Sequence, residues 1–376
     1  MYSISERDMH IIVNGASFLA SGGGGAVAMA KDVIANVVAF SPSVQVATLA
    51  EVADDQGLLV ICGVGAPDAP NPDFKNSPGY GLQGLQQMSG RRFHYVLPIE
   101  VGAMNSMIPL LACAQLGLPF IDGDGAGRSV PQMSMSTYAL QGFSTEYTLV
   151  VSEADQRYPL HPRDANAMEA QVRDIVSTRL ANAGTVAAWP LTGAQARSEH
   201  AVVGGSLTLA RSVGEAMAGA NPLASVAAVI AGFYPAHGVM MRNGRVTAAT
   251  NVVKDGFDVG VITVDDEAGM TVRLYFVNET LLATIDRDGS PLAFMLGPDL
   301  IGSMGVDGSP MTNSEIYNRF VSGDTVRVAL MWVQALEAIR TPIMFFKYLT
   351  LLLEKFDTAP MAGYRFIDDA MELFDR

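Results

Sequence analysis

Residues 93–122 constrain the fold more than any other stretch. An apolar run (93–99), an amphipathic helical pattern (104–116) closed by Gly117, and a second apolar run (118–121) follow one another within about 30 residues, the span of a βαβ unit. A crossover of that kind makes its two strands parallel, and parallel strands are buried on both faces by helices. Residues 58–62 supply an earlier strand, ended by Gly63-Val-Gly-Ala-Pro67 and followed by a helix near 82–88. The first part of the chain is therefore expected to be α/β, with a parallel or mixed sheet covered by helices.

Ahead of this unit, Ser3-x-x-Glu6 has the form of a capping box and opens a helical pattern to about Phe18. Four glycines, Gly22 to Gly25, then interrupt before a second helix over 26–40. Such a run is a loop where backbone comes close to something. Its free N–H groups can cradle an anion or a carbonyl, or it can be a tight helix–helix turn.

Later segments read as helices over 165–183 and 206–218. After Gly238 the pattern becomes β, with the turn dipeptides Asn243-Gly244 and Asp288-Gly289 and short runs at 259–264, 271–277, 281–285, 292–296 and 325–331. Several short strands with regular turn signals suggest a barrel or sandwich. Helical character returns at Gln334. With 376 residues, 49% of them hydrophobic, two cores are expected. We place an α/β domain at 1–235, to which the helices of 335–376 return, and a β-rich domain at 236–334.

A net charge of −14 with scattered Lys and Arg argues against nucleic-acid binding. The longest apolar runs, 224–233 and 343–353, fall short of the ~20 residues that span a bilayer. With no leader-like start, a cytoplasmic protein is expected. Cys62 and Cys113 lie in apolar segments and read as buried free thiols. Gly63-x-Gly65 lacks the third glycine of a dinucleotide fingerprint, so no nucleotide cofactor is expected.

Parallel sheets bind ligands beyond the carboxyl ends of their strands. The strand ending at Ile99 delivers Glu100; the one ending at Ile121 delivers Asp122, Asp124 and Arg128, in Asp122-Gly-Asp-Gly-Ala-Gly-Arg128. Crowded carboxylates either hold a divalent cation or have one member's pKa raised for acid–base work. Glu100, Asp122 and Asp124 are accordingly expected to face one cleft as catalytic groups or metal ligands, with Arg128 orienting a carboxylate substrate. The alternative for Asp122 and Asp124 is capping of the following turn. His237, at the domain junction, and Asn278-Glu279, ending a β-run, are further candidates.

Ala20-Ser-Gly-Gly-Gly-Gly25, Glu100-Val-Gly-Ala-Met-Asn105, Gly117-Leu-Pro-Phe-Ile-Asp-Gly-Asp-Gly-Ala-Gly-Arg128 with Pro131, and Pro298-Asp-Leu-Ile301 together resemble the S-methyl thiohydantoin desulfurase family. Gly204-Gly-Ser-Leu207, Gly260 and Asn278-Glu279-x-Leu281 follow in the same order. The resemblance covers residues 8–332 and fades after Gln334. It implies an α/β domain carrying a β-rich domain, and hydrolytic removal of a sulfur substituent from a hydantoin-like ring. Gly23, Gly24, Gly25, Asn105, Asn278 and Glu279 then join Glu100, Asp122, Asp124 and Arg128 as candidate site residues. The competing expectation is a non-catalytic ligand-binding or partner subunit of a hydantoinase- or oxoprolinase-type system. The partners expected are a small ring compound and either a second copy of the chain, as a homo-oligomer, or a hydantoinase-type protein.

Overall fold

The computed structural model describes residues 1–65, 74–233, 239–287, 290–356 and 365–366. Its first sheet runs β1 (Tyr2–Ser5), β2 (Ser43–Ala47), β5 (Phe120–Ile121), β4 (Tyr95–Pro98), β3 (Gly57–Gly65), β9 (Ala183–Thr192), β7 (Thr148–Val151), β8 (Arg157–Leu160) in spatial order. Strands β2, β5, β4 and β3 are parallel neighbours, and the outer strands join antiparallel. The sheet is therefore mixed, around the parallel βαβ unit that the 93–122 pattern predicts. Helix α4 (Ala103–Leu116) is that unit's crossover, and it stops at Gly117, whose φ of 65° is left-handed.

Alternation along β3 divides the core. Leu59 and Ile61 face a cluster with α1 (Glu6–Leu19), α2 (Val27–Phe40), α4 and α8 (Ser206–Met217). Leu58, Val60, Cys62 and Val64 face the opposite cluster, built on Met168, Val172 and Val176 of α6 (Ala165–Arg179). Glycine permits the closest helix contact: a Cβ on Gly15 would overlap the Ala210 carbonyl, and one on Gly214 the Ile11 carbonyl.

The second sheet has the order β16 (Leu300–Gly305), β17 (Arg327–Val333), β11 (Val239–Lys254), β12 (Phe257–Asp266), β13 (Thr271–Val277), β14 (Glu279–Arg287), β15 (Ser290–Leu296), and the short strand Arg365–Phe366 lies parallel on β15. The other pairings are antiparallel, and the sheet curls into a half-barrel. Helix α10 (Asn313–Val321) packs on β11, while α11 (Pro342–Lys355) lies against β14 and β15. The two sheets share a core: Leu300, Met304, Ala329, Met331 and Val333 join the cluster of α1 and α8. A Cβ on Gly302 would collide with the Phe18 ring.

Several local expectations are corrected. Residues 2–5 form a strand, and the capping box is Ser5 with Asp8. The helix expected over 165–183 ends at Arg179, and β9 begins at Ala183. Asn243-Gly244 is no turn. Both residues sit inside β11, paired with Ala329 and Val328, where a Cβ on Gly244 would press on Asp265 backbone and Val264. Glycine there serves close strand approach near a bulge. Asp288-Gly289 and His237 lie outside the described residues.

Candidate active site at the seam of the two sheets

The glycine run between α1 and α2 is threaded into the half-barrel. The Thr280 N–H donates to Ser21 O at 2.7 Å, the Asn313 N–H to Gly22 O at 2.9 Å, and the Gly24 N–H to Glu279 Oε1 at 3.2 Å. Gly22, Gly24 and Gly25 all have positive φ, which side-chain-bearing residues rarely adopt. A Cβ on Gly23 would overlap Glu279 Oε1. The group this loop admits is thus the Glu279 carboxyl of the other sheet, met by the Gly24 N–H.

Glu279 reaches it through Asn278, which turns β13 into β14 at φ 56°, a left-handed conformation that Asn tolerates. Asn278 Oδ1 accepts the Asp258 N–H at 2.9 Å, and Asn313 Nδ2 donates to Asn278 O at 3.0 Å, so the corner is braced from both sides.

Glu100 approaches from the carboxyl end of β4. Its Oε1 accepts from Asn105 Nδ2 and its Oε2 from the Val130 N–H, each at 2.7 Å. Asn105 Oδ1 in turn accepts the Gly63 N–H at 2.9 Å. Glu100, Asn105, Asn278, Glu279, Gly24 and Gly25 line one pocket with a cavity volume of about 70 Å³, several times the ~10–15 Å³ that a single water requires. Met29, Phe74, Met104 and Val130 supply apolar wall, and Cys62, Met133 and Arg173 line it from the β3 and α6 side.

Burial raises the pKa of both glutamates. For Glu279 the like charge of Glu100 adds to it, and the carboxyl is pushed up to about 8. Glu100 is raised by burial against the opposing pull of its Val130, Asn105, Ser129 and Arg128 neighbours. The distinction between them is in hydrogen bonding. Both Glu100 oxygens accept N–H groups, whereas Glu279 Oε2 is buried without a protein partner. Ser129 is within electrostatic reach of both, and no group satisfies its hydroxyl at full hydrogen-bonding geometry. The Cys62 thiol is pushed up by burial and by Glu100, which keeps it protonated.

The other predicted residues go elsewhere. The Asp122 carboxylate does not line the pocket. It accepts the Leu207 and Thr208 N–H groups at 3.0 and 3.2 Å, the Thr208 hydroxyl, and the Tyr2 hydroxyl at 3.2 Å. These are the second and third N–H groups of α8, whose own N-cap is Gly205; Asp122 caps that helix from a distance. Asp124 Oδ2 accepts the Ala126 and Gly127 N–H groups at 2.9 and 2.8 Å, closing the loop on itself, and burial pushes its carboxyl up to about 7. Arg128 is also off the pocket wall, its donors directed at the carbonyls of Ser129, Pro298 and Asp299. The expectation of three acidic groups facing one cleft is therefore corrected: Glu100 faces it, with Glu279 as its companion.

Among the described residues no group of three or more His, Cys, Asp or Glu side chains is arranged to hold a metal ion. None of their helices is long and apolar enough to cross a membrane.

No sequence motif marks Arg173 or Cys62 as a site residue. Arg173 lies mid-helix, held by Glu169 Oε1 at 2.7 Å, by Pro131 O at 2.9 Å and by the face of Phe257 at 4.3 Å. Only its packing brings it to the pocket.

Fold and site define a class: a mixed α/β unit and an antiparallel half-barrel that share one core and enclose a pair of buried carboxylates between them. Comparison with known proteins gives the particular family. The model of the S-Me-THD-like N-terminal domain matches residues 7–161 and that of the S-Me-THD-like C-terminal domain residues 163–342. The chain belongs to the S-Me-THD-like family, the one its motifs resemble. A crystal structure of a protein from Chromobacterium violaceum is similar at a TM-score of 0.79 and 23% identity, over 97% of this chain and 99% of that one, which shows a shared fold. No curated protein matches.

Proposed function

We propose that the protein is a hydrolase that removes a sulfur substituent from a small hydantoin-like ring, with Glu279 and Glu100 as its acid–base pair. The observation that carries this is Glu279 Oε2, a buried carboxyl oxygen without a protein partner on the wall of a pocket that also holds Glu100. Two environments that differ in this way separate the roles of two carboxyls. Glu100, accepting N–H groups on both oxygens, is the member held ionised. Glu279, with one long contact and a pKa near 8, carries the proton at neutral pH.

For an S-methyl thiohydantoin the step balances as follows. Water attacks the ring carbon that bears sulfur, and Glu100 takes one of its protons as the C–O bond forms. The adjacent C=N bond yields its electron pair to nitrogen. On collapse the hydroxyl proton moves to that nitrogen, the C=O bond forms, and the C–S bond breaks with its pair on sulfur. Glu279 protonates the sulfur, methanethiol leaves, and the proton on Glu100 restores Glu279. The apolar wall excludes bulk water and strengthens these charge effects.

The test is a thiol-release assay over a panel of S-methyl thiohydantoins. Stoichiometric thiol and ring carbonyl product, lost in E279Q, supports the reading. Saturable ring binding without turnover refutes it in favour of a binding subunit.

A further inference from the structure

Arg128 is 1% exposed and does not touch the pocket, yet its charge acts on both Glu279 and Glu100. Nε donates to Ser129 O at 2.7 Å, Nη1 to Pro298 O at 2.8 Å and to the Asp299 carbonyl, and Nη2 is buried without a partner. Carbonyls satisfy N–H groups but bring no net charge, and a buried cation needs an opposite charge nearby. The Asp299 carboxylate is engaged elsewhere, accepting Arg340 Nε and the Ala335 N–H, each at 2.9 Å. The opposite charge that remains is the glutamate pair. On the other side the guanidinium lies 5.2 Å over the Tyr348 ring, a position that suits cation–π attraction. Tyr348 is itself fully buried and lies flat on Gly297, where a Cβ would overlap the ring.

We propose that Arg128 is a positioning residue, which never reaches the substrate but acts through Glu279 and Glu100 by holding a fixed positive charge behind them, clamped in place by Tyr348. The proposal rests on the hydrolytic reading of that pair. The titratable and charged groups around the pair are Arg128 and Asp124 from the site loop, Cys62 from β3, Tyr348 from α11 and, on the pocket wall, Arg173 from α6. Of the two cations, Arg173 is already paired with Glu169 at 2.7 Å, whereas Arg128 is bonded to carbonyls alone. It keeps one carboxyl ionised while the other carries the proton, which is the state the reaction needs. The matched C-terminal domain ends at residue 342, where α11 begins, so Tyr348 comes from chain beyond it.

The test uses the full-length protein and two readouts. In pH-dependent difference infrared spectra, the protonated carboxyl band lost in E279Q identifies Glu279. Removing the cation favours the neutral acid, so in R128M the band should titrate about one unit or more higher than in wild type, with R128K close to wild type. R128Q, which keeps an amide donor for the carbonyls, carries the same expectation if R128M does not fold. In thiol release, R128M should lower kcat and displace the pH profile upward while KM stays within about threefold. An unchanged Glu279 titration in a folded, neutral variant overturns the proposal. So does a raised KM at constant kcat, which would place Arg128 on the substrate. A displaced titration in protein that releases no thiol, wild type included, upholds Arg128's hold on the pair and overturns the hydrolytic reading instead.

Discussion

Carboxylates that look alike in the sequence differ in what they touch. Asp124 bonds within its own loop, and Asn would keep most of that turn. D124N should remain folded and retain activity within about threefold, whereas E279Q should lose about 100-fold or more, the usual worth of a positioned acid–base group. Thiol release by both variants under one condition decides between them. Asp122 is different again. D122A uncaps α8 and frees the Tyr2 hydroxyl, so it should cost about 1–3 kcal/mol in stability. Denaturant unfolding measures that loss, while kcat of the folded fraction should hold.

At the scale of elements, the glycine loop between α1 and α2 exists to admit a side chain from the half-barrel. G23A tests this, because Gly23 has ordinary φ and a methyl there meets Glu279 rather than straining backbone. Its activity should fall by about tenfold or more, yet the same substitution in an E279Q background should cost little further. Effects that act through one contact are non-additive, and a double-mutant cycle on kcat reads the coupling.

For the whole molecule, the seam carries a stability cost that depends on pH. Glu279 has its folded pKa raised from 4.5 to about 8 and Asp124 from 3.8 to about 7, both by burial first. Between those limits the folded state binds more protons than the unfolded one, so stability is fullest below about pH 4 to 5 as far as these groups are concerned. It is lost as pH rises through the folded values. Thermal melting of wild type should therefore fall from pH 5 to pH 8.5, and E279Q should flatten that slope. A wild-type slope that E279Q leaves unaltered would show that Glu279 does not carry this linkage.

Local pattern was enough for the elements whose side chains repeat with a clear period. The βαβ unit at 93–122, the helix ending at Gly117 and the strand runs at 259–264 and 271–277 could be read directly, because periodicity and capping are properties of neighbouring residues. The same reasoning placed Glu100 at a strand end and Asn278-Glu279 at a β corner. It could not separate Glu100 from Asp122, since both follow strands and only the path of α8 turns Asp122 away. Nor could it see that Gly244 lies inside a long strand, because the dipeptide is compatible with a turn until β12 and β17 pair on both sides. Chain-local signals decided which residues could be functional. Tertiary structure alone brought Glu279, 179 positions beyond Glu100, into the same pocket, because burial and mutual repulsion arise between groups that share space rather than sequence.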